Sequence, residues 1–556
     1  MRPGRAAICA AAVVWSIVLL VTVRAGRLQP PERGSQSRPD LHPDVSIFAP
    51  SSECLACHNN LLTPLGEDVS IGASWRGSMM ANSARDPYVL ASVRREIIDH
   101  PSRAEEIEDE CAACHVPAAQ KAARAVGGQG RILEYHRRRE DAAGALGVLA
   151  RDGVSCTVCH QISPERLGTR DSFNGNFVVA PRLASGNRRA YGALAPDAGR
   201  RRIMHSATGF EQEQSAHVQQ SELCATCHTL ITVARGPDGA AIGSLPEQMN
   251  YQEWRHSAFF GEQRSCQSCH MPRAAGPVRV ASVLGDFRPT LARHTFLGGN
   301  AFMIRLMNRF RDELGIEATR AELEATARAT ERQLEQDTAA IRIERATMAG
   351  GTLELDIVVR NLTGHKFPTG YPSRRAWIHV TATDRHGRTV FESGRVQDSG
   401  LVEGSASDSH PSSFEPHYEQ ITSADQVQIY ESVIGTRAGT PTTGLLQATQ
   451  YLKDNRLLPR GFDQRTAGPE IAVYGGAATD PDFTGDGDRV RYLVAAAEVA
   501  VVEVELRYQP IGYRWAQNLA PYQAAEPKKF VEYYNAVAPA SSVVIGRASH
   551  RFVRPF

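Results

Sequence analysis

Ten of the eleven cysteines in this 556-residue chain fall into one pattern, Cys-x-x-Cys-His, used five times. The copies end on His58 (after Cys54 and Cys57), His115 (after Cys111 and Cys114), His160 (after Cys156 and Cys159), His228 (after Cys224 and Cys227) and His270 (after Cys266 and Cys269). At this spacing two thiols can reach the two vinyl groups on one edge of a porphyrin, and the histidine that follows sits under the iron as proximal ligand. That is the attachment signature of c-type haem. Other uses of paired thiols fit less well. A disulfide framework suits an exported chain but gives no reason for a histidine after every second cysteine. Structural zinc commonly joins two Cys-x-x-Cys pairs, and five pairs would strand one. Redox dithiols need no histidine. The motifs therefore predict five covalently attached haem c groups between residues 54 and 270. At that density the macrocycles form much of the core and neighbours lie close enough to exchange electrons.

Each iron has a sixth position. Filled by His or Met it makes an electron-transfer centre, and left open it binds substrate. Five candidate distal ligands stand out. His205 lies in a stretch punctuated by glycine, His217 comes seven residues before Cys224, and His294 precedes the tight-turning Thr-Phe-Leu-Gly-Gly-Asn. His365 sits in the loop Gly364-His-Lys-Phe-Pro-Thr-Gly370, beyond the haem motifs, from where it could reach back to an iron; its alternative is a structural turn. Met80 emerges from a weak internal repeat, in which Trp75-Arg-Gly-Ser78-Met79-Met80 matches Trp254-Arg-His-Ser257-Ala258-Phe259. Its alternative is a flexible gap-filler. His256 is a weaker candidate, His100 before Pro101 suits a helix end, and His136 in His-Arg-Arg-Arg-Glu reads as a solvated face.

The stretch from Cys54 to Asn300 resembles the multihaem cytochrome c superfamily, which includes the tetrahaem carriers that accept electrons from hydroxylamine oxidation. The resemblance lies in the attachment motifs and in the Trp-x-x-Ser segments beside them. In that family the histidine of such a segment is often a distal ligand; the matching positions here are Met80 and Phe259, and phenylalanine cannot ligate. The segments Ser221 to His228, Tyr251 to Trp254, Cys266 to Pro272 and Gly364 to Gly370 look like a bacterial branch known mainly by its haems. The resemblance implies class and cofactor, not a particular partner.

Around these residues the sequence predicts an α+β multidomain chain: a mostly helical and loop multihaem domain, then an antiparallel β-sandwich-like domain. Residues 1–25 read as a signal peptide or N-terminal anchor, with Arg2 and Arg5 before the apolar run Ala6 to Val23, which contains Cys9. Residues 26–50 are a linker, 51–300 the pentahaem domain, 301–338 a helical connector and 339–556 the β-rich domain. Asp86-Pro87 marks a helix start. Ser102 with Glu105, and Thr319 with Glu322, are candidate capping boxes, the latter opening an exposed connector helix. Alternation at 353–359 and 502–508 gives strands, Ala349-Gly350-Gly351 a hairpin turn, and further strands fall at 376–383, 389–393, 426–434, 490–496 and 542–549. The loop carrying Asp480, Asp482, Asp486 and Asp488 reads as a solvated acidic turn, with calcium as the alternative.

Lys+Arg (62) and Asp+Glu (61) nearly cancel, which excludes the basic surplus of a nucleic-acid binder. The leading functional expectation is electron transfer outside the cytoplasm, periplasmic or extracellular, with redox partner proteins, a membrane electron-transfer complex being one candidate, and a membrane tether through the N-terminal segment as the alternative to its cleavage. The alternative is a multihaem reductase of a small nitrogen or sulfur oxyanion at one open iron. No catalytic side chain is assigned, and no motif replaces its histidine with lysine.

Overall fold

The computed structural model describes residues 47–137 and 144–553. The signal or anchor segment, His42 and nearly all of the linker lie outside them. Among the described residues no helix is long and apolar enough to cross a membrane.

Period-two patterning decides the C-terminal part. In Asp488–Ala495 every second residue is buried, with Val490, Tyr492 and Val494 turned inward. This strand pairs antiparallel with Thr352–Asn361, which pairs with Ala339–Ala349. Gly350 and Gly351 join the last two at φ 58° and 81°, the left-handed backbone that a two-residue hairpin turn demands. A short parallel strand, Gln420–Ile421, completes a four-stranded sheet. A second sheet centres on Arg375–Thr383. Val501–Gln509 runs antiparallel along one edge and carries Val543–Arg551 beyond it. The other edge is shared by Ile429–Gly435 and Thr389–Ser393, with Gln450–Asp454 outermost. Leu355, Ile357 and Val359 of the first sheet meet Ile378, Val380, Val504 and Leu506 of the second in one apolar core. Trp377 points the other way and packs with Val402, Val427 and Ile429.

The N-terminal part consists of short helices, turns and small two-stranded sheets. Asp86 caps Pro87–Asp99 by accepting from the Tyr88 and Val89 N–H groups, with Pro87 in the first turn. Two local expectations are corrected. The Ser102/Glu105 capping box does not form: Pro101–Arg103 is a tight turn, the helix Ala104–His115 starts after it, and Glu105 pairs with Arg131 at 2.6 Å instead. The helix Arg320–Asp337 has its box, with Thr319 and Glu322 bonded reciprocally, but is no exposed connector. Leu323 and Ala327 pack with Met303 and Leu306 of Ala301–Arg309, and Leu334 joins the β core.

The span 339–556 also contains a helix that the strand pattern did not show. Ala525–Val537 packs on Pro87–Asp99, with the Tyr88 and Phe530 rings 5.0 Å apart and Arg94 paired to Glu526 at 2.9 Å. The chain thereby returns to its N-terminal part before its last strand, Val543–Arg551, rejoins the second sheet.

Ile357 is fully buried between the two sheets. Ile357→Ala should cost about 2–5 kcal/mol, seen as a lowered Tm in thermal unfolding; a variant as stable as the parent would contradict the shared core.

Candidate cofactor site

The five motifs are far apart in sequence, yet all ten thiols and all five following imidazoles line one continuous cavity of about 2260 Å³. A single small-molecule pocket holds roughly 300–1,000 Å³, so this space suits several large groups. None of the ten cysteines is in a disulfide; nine are half-buried and Cys269 is exposed.

Cysteines of different motifs adjoin. Cys54 lies beside Cys156, Cys224 beside Cys266, and Cys114 beside Cys227, each contact raising the pKa of one thiol of the pair. Cys159 also feels Cys227. Two of the joints are built alike. Ser51 Oγ accepts the Cys156 N–H at 3.3 Å, and Ser221 Oγ accepts the Cys266 N–H at 3.1 Å; each serine lies three residues before the first cysteine of its own motif. Trp75 Nε1–H donates to the Val154 carbonyl at 3.0 Å and Trp254 Nε1–H to the Arg264 carbonyl at 2.8 Å, in both cases two residues before the first cysteine of the partner motif. The weak Trp-Arg-x-Ser repeat therefore marks a repeated structural joint, with the second motif as the extra member. Met80 lines the cavity, and its carbonyl accepts the Val154 N–H at 2.9 Å. Its counterpart Phe259 lies beneath Gly364, where an added Cβ would stand 3.0 Å from the ring.

Burial holds most of these imidazoles neutral. Burial pushes His115, His228, His294 and His365 down to about 4 and lowers His160 and His270. A carbonyl can only accept, so a ring nitrogen facing one carries the proton. Nδ1–H of His58 donates to Val280 O at 2.8 Å, that of His160 to Tyr191 O at 2.5 Å, that of His270 to Leu297 O, that of His294 to Ala292 O at 3.1 Å and that of His365 to Lys366 O at 2.8 Å. Each leaves the Nε2 lone pair for a metal, the outer-shell arrangement that metal-ligating histidines use.

Two of these rings face two others. His160 and His294 have centroids 6.4 Å apart with planes 22° from parallel, and His270 and His365 have centroids 6.2 Å apart at 14°. Two imidazoles on opposite sides of one metal would show about 6.2 Å, from two metal–nitrogen bonds of about 2.0 Å and about 1.1 Å from each nitrogen to its ring centre. The donor set and its spacing fit a porphyrin iron at both places.

His205 and His217 are not brought to the cavity. His217 is buried, but its Nε2–H donates to Ile162 O at 2.8 Å and its Nδ1 accepts from Ser215 Oγ at 2.7 Å, which uses both nitrogens. His205 belongs to a helix, Ala198–Thr208, capped by Asp197 and stopped by left-handed Gly209, and not to a loop. The side of that helix on the cavity is Arg200, Ile203, Met204, Ala207 and Thr208, the i, i+3, i+4, i+7, i+8 stripe, and His205 lies off it. Met204 was legible only with the helix in hand. Among the others, His256 donates Nε2–H to Asp463 O at 2.9 Å, His100 is buried and does not line the cavity, and His136 is exposed.

The acidic loop is corrected in part. Asp482 and Asp486 are solvated, but Asp480 and Asp488 are buried with His417. Gln428 and Asn455, whose amide oxygens accept backbone N–H groups, both donate to His417 Nδ1 (2.8 and 3.1 Å), so its Nε2 carries the proton that goes to Asp480 at 2.9 Å. No lone pair of that ring is left for a cation.

No family model and no curated protein matches the chain. Among solved structures it is similar to the crystal structure of a penta-heme cytochrome c552 from Thermochromatium tepidum, at 16% identity and a TM-score of 0.49, with 91% of this chain and 100% of that one covered.

His294→Ala should convert one low-spin haem of the loaded protein to high spin, whereas His217→Ala should leave the ligand-field spectrum unchanged; the reverse result would exchange their roles.

Proposed function

We propose that this chain is a multihaem c-type cytochrome with five covalently attached haems, exported to the periplasm or cell exterior, where it carries electrons between redox partner proteins. The observation that carries the reading is the convergence of all five motifs on one cavity. Haem, once attached, supplies reversible one-electron chemistry at iron. The chain's own residues do the rest. The ten cysteines anchor the groups, the five motif histidines hold the proximal side, and His294 and His365 stand opposite His160 and His270. Arg374, held by Thr369 O at 2.7 Å on the cavity wall, offers a guanidinium to a propionate. The adjoining thiols order the attachment points: the first motif beside the third, the third beside the fourth, and the second and fifth both on the fourth. The likeness of residues 54–300 to multihaem carriers, hydroxylamine-derived electrons among their cargoes, fits this role, as does a membrane tether at the N-terminus.

One observation favours a second reading. Among the described residues only seven imidazoles line the cavity, so His58, His115 and His228 face no second histidine there, and the remaining soft ligands are the thioethers of Met79, Met80, Met204 and Met271. An iron left open would bind a small nitrogen or sulfur oxyanion for reduction. The buried acids Glu96 and Glu247 on the same wall are raised by desolvation, Glu247 to about 7, and could supply protons.

The full chain, made with haem-attachment machinery, should exceed its polypeptide mass by five haems and show a Soret band. A mass equal to the bare polypeptide would end both readings. The oxidised spectrum then separates them: low-spin haem that binds neither carbon monoxide nor nitrite supports the carrier, and a high-spin fraction that binds nitrite supports the reductase.

A further inference from the structure

Four ionisable side chains are buried together where the helix Asn250–Arg255 meets the loop that carries His365. Glu253 and Lys366 have 0% exposed side chains, Asp454 1% and Arg456 5%. Arg456 Nη1 pairs with Glu253 Oε1 at 2.9 Å. Its Nε and Nη2 fork onto the two oxygens of Asp454, both at 2.8 Å. Lys366 Nζ reaches Asp454 Oδ2 at 2.7 Å and the Ala472 carbonyl at 3.0 Å. Burying charges costs more desolvation than their attraction commonly returns, and apolar side chains of the same shape often serve stability as well. What such a network does supply is fixed geometry.

The geometry it fixes is that of His365. The second oxygen of Glu253 accepts the Lys366 N–H at 3.2 Å and the Thr369 hydroxyl at 2.5 Å, gripping the loop just after the histidine. Asn361 Nδ2 donates to the His365 carbonyl at 2.6 Å from the other side. Phe367 exchanges both backbone hydrogen bonds with Leu457, at 2.9 and 2.8 Å, next to Arg456. The residue after Glu253 is Trp254, whose indole holds Arg264 O two residues before Cys266. A single turn of helix thus touches the segments that carry both His270 and His365.

We infer that the Glu253–Arg456–Asp454–Lys366 network, with Thr369, is a coordination clamp: it positions His365 of the β-rich part as the sixth ligand of the fifth haem, opposite His270. None of its members touches the iron; they are positioning residues. The inference rests on the reading of His270 and His365 as the two axial ligands, and the experiment separates the two claims.

The test uses the full-length, haem-loaded protein, each variant first shown by intact mass to carry five haems. His365→Ala should turn about one haem in five from low to high spin by electron paramagnetic resonance, with added imidazole restoring the low-spin signal; no change would refute the axial-ligand reading itself. Given that change, Thr369→Val and Glu253→Gln should each give a partial loss of the same low-spin signal and a shifted potential for that haem, both recovered by imidazole, while Lys366→Arg, which keeps the ion pair, should resemble the parent. If Glu253→Gln does not fold, Thr369→Val decides, since it removes one hydroxyl contact. Five low-spin haems with parental potentials in the Thr369→Val and Glu253→Gln proteins, beside a converted His365→Ala, would overturn the clamp.

Discussion

The N-terminal part of this molecule is organised around a space its own side chains do not fill. Ten cysteine side chains and seven imidazoles face one cavity, and the polypeptide around it packs into separate apolar clusters, one of them around Leu90, Ile107 and Leu149. Small side chains keep this shell tightly packed: Ala118, Ala119, Ala122 and Ala123 line up on the buried face of Pro117–Ala125.

The C-terminal part solves the opposite problem. Its two sheets close a large apolar core of their own, which makes a rigid base for a loop that leaves it. His365 leaves from the end of Thr352–Asn361, a strand hydrogen-bonded on both edges. Placing a side chain on such a base fixes it better than a free loop would, because the surrounding strands cannot shift without breaking their ladder. The helix Ala525–Val537 adds a second attachment on Pro87–Asp99, so the β-rich part is bound to the cavity shell at more than one place.

Legibility in the sequence followed the range of the interaction. The five motifs were readable because their chemistry is set within five residues. The strands of 339–556 were readable because alternation is local, and the positions of Gly350-Gly351 and Thr389–Ser393 needed nothing else. Distal ligands are a question of tertiary approach, and there the sequence divided. His294 and His365 reach the cavity, but His217 spends both nitrogens on Ile162 and Ser215, and His205 is turned away by the rotation of a helix that Gly209 disguised as a loop. Helix Ala525–Val537 was hidden for a different reason: Tyr533, Tyr534 and Phe530 are no more typical of helix than of strand, and tertiary packing on Pro87–Asp99 settles their state. The acidic loop misled because Asp480 and Asp488 are drawn inward by partners, His417 and Tyr430, that lie far away in sequence.

The repeated serine joint bears on the order in which the shell comes together. Ser221 and Cys266 enclose a loop less than half as long as that between Ser51 and Cys156, the second motif being inserted in the latter. Chain-closure entropy alone favours the shorter loop by about 0.8 kcal/mol. In order of synthesis the first motif leads, yet the half made last is the easier to fasten, so assembly can begin at the trailing end and gather the leading one.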